Sequence, residues 1–282
     1  MTPRFGAHAF LWIDEWTIEK GNHAIAAAGK AGFDFIEIPL LRPSEFDPDA
    51  HKPALAAAGI GATASLVLPN DAHMPNAPQK AMAFLVNALD KLAALGGDYL
   101  CGCLAFALGI FTGVAPTGAE RQIVIGCLKE ISAEAERRGI KLGFEVVNRY
   151  EGYLYNTLAD ACETIRAVGS DHLKLHADTY HMNIEEEGFY QPLVDSADVL
   201  GYIHMSESHR GLVGSGTVNW EEVFHGLADG NYKGPLVLES FAAVNPDLQA
   251  ATKLWRPTNQ LSDVLASAGL KVLKQYANRY NL

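Results

Sequence analysis

Eight short apolar runs recur along the chain, each followed by a helical segment or a long loop. They are Phe5–Trp12, Phe33–Pro39, Gly61–Leu68, Asp98–Leu104, Lys141–Val147, Leu173–Asp178, Leu200–Met205 and Pro235–Ser240. Most are near-continuous Val, Ile, Leu and Phe, the pattern of parallel strands covered on both faces. Between them, Thr17–Gly32, Pro78–Leu95, Thr117–Arg138, Thr157–Val168 and Asn219–Leu227 carry helical signals and end at or near glycine. In Pro78–Leu95, for instance, Met82, Leu85, Val86, Leu89 and Leu92 recur at steps of three and four. Ser44 is placed to cap a further helical segment that Gly59 stops, and a last one, roughly Asp247–Tyr276, looks broken around Pro257. This alternation predicts an α/β fold: a single (β/α)8 TIM barrel, one domain over residues 1–282 with a C-terminal helical segment. The rival, an open doubly wound sheet, usually shows a Gly-rich phosphate loop after an early strand, and neither GxGxxG nor GxxxxGK[ST] occurs.

Charge narrows the partners. The net charge is −11 and the pI about 5.3, a surface that repels phosphate backbones and argues against nucleic acid. The most apolar stretch, Tyr99–Val114, is shorter than a membrane span and is interrupted by glycines, so no membrane association is expected. The N-terminus MTPRFGAHAFLWIDEW lacks an apolar core with a cleavage site and reads as mature protein. The four cysteines, Cys101, Cys103, Cys127 and Cys162, form no CxxC pair; they read as reduced thiols in a cytoplasmic core rather than as metal ligands.

Four consecutive strands end in side chains that are costly to bury. KLGFEVV carries Glu145, LKLHAD carries Asp178, LGYIHM carries His204 and GPLVLES carries Glu239. Strand alternation puts Gly143 with Glu145, His176 with Asp178 and Val237 with Glu239 on one face. If that face is the interior, strands five to eight each send one polar group inward at the C-terminal mouth, where barrel active sites lie. Three carboxylates so close would raise one another's pKa unless a cation neutralised them. A set of three carboxylates and one imidazole suits one divalent ion per subunit, Mn²⁺ first, with Co²⁺ or Mg²⁺ compatible. Beyond the strand ends stand Asn148, Arg149, Glu151, His181, Asn183, Ser206, Glu207, Ser208, His209 and Arg210. Taken singly, each of these reads as solvated rim.

The blocks FEVVNRYEGYLYNT, LHADTYHMNIEE, YIHMSESHRGLVGSGTVNW and LVLESF resemble the ketose 3-epimerase family, within the xylose-isomerase-like barrels. The resemblance runs from about Phe5 to the segment KLWRP and is strongest from Glu145 to Phe241. It implies that Glu145, Asp178, His204 and Glu239 are metal ligands and that Glu145 and Glu239 are also the two catalytic carboxylates. It implies further that Glu151, His181 and Arg210 hold the O1 and O2 end of the substrate. In the looser block FGAHAFLW, His8, Phe10 and Trp12 are expected to line the pocket. The implied activity is metal-dependent epimerisation of free ketoses at C3 through a metal-stabilised enediolate, with the two Glu as acid and base on opposite faces. The implied assembly is a homodimer or homotetramer. A 1,2-aldose–ketose isomerase or a hydroxypyruvate isomerase on the same scaffold is the alternative. A metal-dependent phosphodiesterase or endonuclease would need more histidines and a basic groove.

Overall fold

The structure, a computed structural model, describes residues 3–242, 244–256 and 260–282. Eight parallel strands close into a barrel in chain order. They are β1 (Phe5–His8), β2 (Phe35–Pro39), β3 (Gly61–Val67), β4 (Tyr99–Cys103), β5 (Lys141–Glu145), β6 (Leu173–Asp178), β7 (Leu200–Met205) and β8 (Leu236–Leu238). Around them run α1 (Ile18–Ala31), α2 (Lys52–Ala58), α3 (Pro78–Leu95), α4 (Gly118–Arg137), α5 (Leu158–Val168), α6 (Thr179–Glu185), α7 (Tyr190–Asp195), α8 (Trp220–Asp229), α9 (Pro246–Thr252) and α10 (Ser262–Arg279). The single closed barrel excludes the open sheet. No helix among the described residues is long and apolar enough to cross a membrane.

Helix starts follow their capping residues. Thr17 accepts from the Lys20 N–H at 3.2 Å, Thr157 from Asp160 at 3.3 Å, and Thr117 forms a reciprocal capping box with Glu120. The apolar stripe of α3 predicted from the sequence, here Leu85, Leu89 and Leu92, is buried against the barrel's outer face.

Several boundaries differ from the sequence expectation. The first strand stops at His8, and Ala9–Leu11 turn as a 3-10 helix in which the His8 ring accepts from the Phe10 amide. Ser44 caps no α-helix: it lies in a 3-10 turn, Pro43–Glu45, and α2 begins only after His51. The β6–β7 connection holds α6 and α7, which are 7 and 6 residues long and therefore too short to display a helical period. At the C-terminus α9 and α10 stand where one interrupted segment was expected; Pro257 itself lies outside the described residues.

Alternation along the strands builds two interior layers. Phe35, Tyr99, Cys101, Tyr202 and Val237 pack together as an apolar floor. Two residues further along β2, β4, β7 and β8 come Glu37, Cys103, His204 and Glu239. Small residues make room for the floor: a Cβ on Gly6 would stand 2.3 Å from the Phe35 ring. Register then sets who meets whom, pairing Asp178 with His204, Glu145 with His176, and His8 with Glu37.

Gly102, in β4 beside the pocket, has φ +107, and a Cβ there would stand 2.2 Å from the Leu66 carbonyl oxygen. Both the backbone conformation and the clash with main chain oppose a side chain. Gly102→Ala is expected to lower unfolding free energy by about 3 kcal/mol. Chemical denaturation reads this directly, and a loss below about 0.5 kcal/mol, the scatter of neutral surface changes, would refute it.

Candidate active site

A cavity of about 680 Å³ opens at the C-terminal mouth of the barrel. Glu145, His204 and Glu239 stand at its base with His181, Glu151 and Arg210. Glu145 and Asp178 are the last residues of β5 and β6, His204 is in β7, and Glu239 directly follows β8. Although β8 ends at Leu238, the Glu239 amide still donates to Met205 O at 3.2 Å, which keeps its side chain in the interior row.

His204 is the hub. Its Nδ1 lies 3.5 Å from Glu239 Oε1 and 4.0 Å from Glu145 Oε1, and this buried atom has no hydrogen-bond partner among the described residues. One ligand atom from each of Glu145, Asp178 and His204 falls within 4.8 Å of the others. An octahedral ion with bonds of about 2.1 Å separates neighbouring ligand atoms by roughly 3 Å and opposite ones by about 4 Å. The spacing and the unpartnered imidazole nitrogen therefore fit a hard divalent ion. A second group within the same limit, Cys101, His176 and His204, fits less well. Burial pushes the Cys101 thiol well up, away from the thiolate a metal needs, and its S–H donates to Ala64 O at 3.4 Å.

Arg210 takes part of the charge-balancing role expected of a cation alone. Its Nη1 donates to Asp178 Oδ2 at 2.9 Å, to Ser206 Oγ at 3.1 Å and, in a very short contact, to Glu239 Oε2. The guanidinium lies 3.9 Å from the Tyr180 ring centroid and 5.0 Å from that of Phe241. The residue has φ +59, a left-handed conformation uncommon outside glycine, and is tied by its amide to Glu207 O and by its carbonyl to the Phe241 amide.

These contacts split the carboxylates. Burial raises Glu145 well above the usual carboxylate range and Asp178 to about 7. Burial also acts on Glu239, but Arg210 and His204 outweigh it and hold that carboxyl well below its ordinary value. Burial lifts Glu151 to about 6. His181 is driven well down, chiefly by burial. Its Nδ1 accepts from the Asn148 main-chain N–H at 3.1 Å, so the neutral ring carries its proton on Nε2. That N–H faces Glu145 Oε1 at 3.7 Å and Asp178 Oδ2 at 3.6 Å. The site thus offers two neighbouring carboxylates whose surroundings push their pKa values in opposite directions, an aimed imidazole donor and a fixed guanidinium.

The N-terminal block divides. His8 lines the cavity, its Nε2 3.2 Å from Ser65 Oγ, and Phe10 lines it too. Trp12 is not among the lining residues: its indole N–H donates to Asp263 at 3.3 Å and its ring meets Phe33 edge-on. Trp16, four residues further along the chain, lines the cavity instead, its indole N–H donated to His51 Nε2 at 3.1 Å. The rim reading also needs correction. Asn148, Glu151, His181, Ser206, Glu207 and Arg210 are all buried, while Arg149 and His209 are exposed as expected. Glu207 is a loop anchor: its carboxylate accepts from the amides of Ser208, Gly214 and Val218 and from the Trp220 indole.

Glu37 belongs to the same cluster although it stands on β2, outside the four strand ends that carry the other polar groups. It is fully buried in β2, accepts from Tyr202 Oη at 2.6 Å, and lies 2.9 Å from His204 Nε2. The signal was present in FIEIP, a lone carboxylate on the same face as Phe35.

Known proteins share this architecture. Residues 25–260 match the family described as xylose isomerase-like TIM barrel. The chain is 37% identical over 277 residues to the L-ribulose 3-epimerase of Methylomonas sp. (strain DH-1), covering 96% of each chain. It is 36% identical over 261 residues to the ketose 3-epimerase of Arthrobacter globiformis, covering 90% of this chain and 89% of that one. Among solved structures it resembles the D-allulose 3-epimerase from Methylomonas sp. in complex with D-allulose, with a TM-score of 0.92, 36% identity, and coverage of 98% and 97%.

Proposed function

The chain belongs to the ketose 3-epimerases of the xylose isomerase-like TIM barrel family, isomerase-class enzymes, and from that premise we propose that it inverts C3 of a free ketose at this site. The observation that carries the reading is the pair Glu145 and Glu239, which approach His204 Nδ1 from two strands at 4.0 and 3.5 Å. Inversion needs a proton removed from one face of C3 and another returned to the opposite face. A single carboxylate serves one face; two on separate strands serve both.

Glu145, Asp178, His204 and Glu239 would hold the divalent ion, with Mn²⁺ the first choice. When bound, the ion would supply Lewis acidity at the C2 carbonyl and so make the C3 proton easier to remove. The chain's residues do the rest. One of Glu145 and Glu239 accepts the C3 proton, and the other delivers a proton to the opposite face; the direction of reaction decides which. The His181 Nε2–H and the Arg210 guanidinium donate to the oxygens at the C1–C2 end, and Glu151 accepts from a hydroxyl there. Trp16, Phe46, Leu68 and Leu108 wall the cavity and exclude water from the rest of the sugar. Free ketoses such as D-allulose, D-tagatose and L-ribulose are the candidate substrates.

The test is NMR in D₂O with chelator-stripped, Mn²⁺-reloaded protein and a panel of free ketoses. Deuterium at C3 together with the C3 epimer supports the reading. Aldose product with label at C1 or C2 moves it to a 1,2-isomerase.

Arg210→Ala is expected to lower kcat/KM roughly 10- to 100-fold, the worth of a charged hydrogen bond. It should leave metal content intact or improved, because Arg210 occupies oxygens of Asp178 and Glu239 that an ion would use. Loss of metal in that variant would show the guanidinium to be a support of the ion site instead.

A further inference from the structure

A carboxylate inside a barrel is expensive, and Glu37 is wholly buried in β2 with no Lys or Arg among the described residues in ion-pair contact with it. Its partners show what it does there. Both Glu37 oxygens lie within hydrogen-bond reach of His204 Nε2, at 3.0 and 2.9 Å. Tyr202 Oη donates to Oε2 at 2.6 Å and lies 2.9 Å from Thr63 Oγ1. His8 Nε2 stands 3.7 Å from Oε1. A carboxylate offers only acceptors, so His204 Nε2 must carry a hydrogen. In the neutral ring that a metal ion needs, the lone pair is then on Nδ1, the atom that faces Glu145 and Glu239 and has no hydrogen-bond partner among the described residues.

We propose that Glu37 is the positioning residue of the ion site, fixing His204 in the Nε2–H tautomer so that Nδ1 is presented as a metal donor, with Tyr202 and Thr63 holding the carboxylate in line. The neighbours leave His204 no equivalent alternative. With the hydrogen on Nδ1, Nε2 would turn a lone pair onto the Glu37 oxygens, and the ion would lose its only nitrogen donor. Glu37 is not itself among the cavity-lining residues and reaches the site through its neighbours, at hydrogen-bond distance only through His204, with His8 standing farther off at 3.7 Å. The inference rests on the metal-dependent reading of the site. Its readout is metal affinity without substrate, which separates the two.

The experiment titrates chelator-stripped protein with Mn²⁺ and follows the free ion by electron paramagnetic resonance. Wild type is compared with Glu37→Leu, Glu37→Gln and Tyr202→Phe, each checked for native circular dichroism. Glu37→Leu is expected to weaken Mn²⁺ binding roughly 10- to 100-fold, the usual effect of losing the partner of a ligating imidazole. Glu37→Gln retains an acceptor for Nε2–H and should recover most of that loss. Tyr202→Phe keeps the ring and loses the hydroxyl's contacts with Glu37 and Thr63, so its loss should be several-fold. Folded Glu37→Leu with wild-type affinity overturns the proposal. If Glu37→Leu does not fold, wild-type affinity in Tyr202→Phe and Glu37→Gln together overturns it. Wild-type protein that binds no Mn²⁺ removes the metal reading, and the inference with it.

Discussion

Glutamine at position 145 or at position 239 is expected to slow C3 inversion at least ~100-fold, the lower end of what a positioned general acid or base contributes. The amide is nearly isosteric with the carboxyl and keeps an oxygen toward the ion, so the change falls on proton transfer more than on packing. The two variants should not fail identically. Glu239 is held ionised by Arg210 and His204, so its replacement also frees a guanidinium and leaves Arg210 with Asp178. Glu145 is in ion-pair distance of no arginine among the described residues, only of His176, His181 and His204, so glutamine there disturbs less of the surrounding network. Steady-state epimerisation should therefore fall in both, with the larger rise in KM in Glu239→Gln. Metal content, measured alongside, guards against a trivial loss of the ion. Near-normal turnover in both variants would remove the acid–base assignment.

Stripping the protein with chelator is expected to abolish turnover, and reloading with Mn²⁺ to restore it. The ion's binding should depend steeply on pH. Without it, burial raises Glu145 well above its ordinary range and Asp178 to about 7. Each must give up its proton to serve as a ligand. The sign follows: affinity falls as pH drops below about 7, and binding near neutrality releases protons. Calorimetry in two buffers of different ionisation enthalpy would count them. Affinity that stays level from pH 8 to pH 5.5, an experimental window chosen to span the Asp178 value of about 7, would show that these carboxylates are not the ligands. Full activity after exhaustive chelation would end the metal reading altogether.

The strands that carry the site were legible because burial on both faces leaves a continuous apolar run, against which a Glu, Asp or His stands out. Glu145, Asp178, His204 and Glu239 stand out in this way. Glu37 stood out in the same way in FIEIP, but its meaning depended on His204, 167 residues away in the chain. The loop residues were the harder case. Nothing in the local sequence around Asn148, Glu207 or Arg210 distinguishes a solvated rim from a buried network. Their burial comes from loops that fold back over the mouth, and from the left-handed turn at Arg210 that aims its guanidinium inward.

Trp12 and Trp16 show the same limit. Both sit in the segment after β1, and only the short turn Ala9–Leu11 decides which indole faces the cavity. By itself, then, the chain's apolar periodicity determined an eight-stranded α/β barrel, and its interrupting polar residues determined a carboxylate–imidazole cluster at the strands' C-terminal ends. Tertiary structure alone decided the charge state and aim of each group. A pKa or a tautomer is set by what lies within a few ångströms, and here those neighbours, Glu37 to His204 and Arg210 to Glu239, come from different strands and loops.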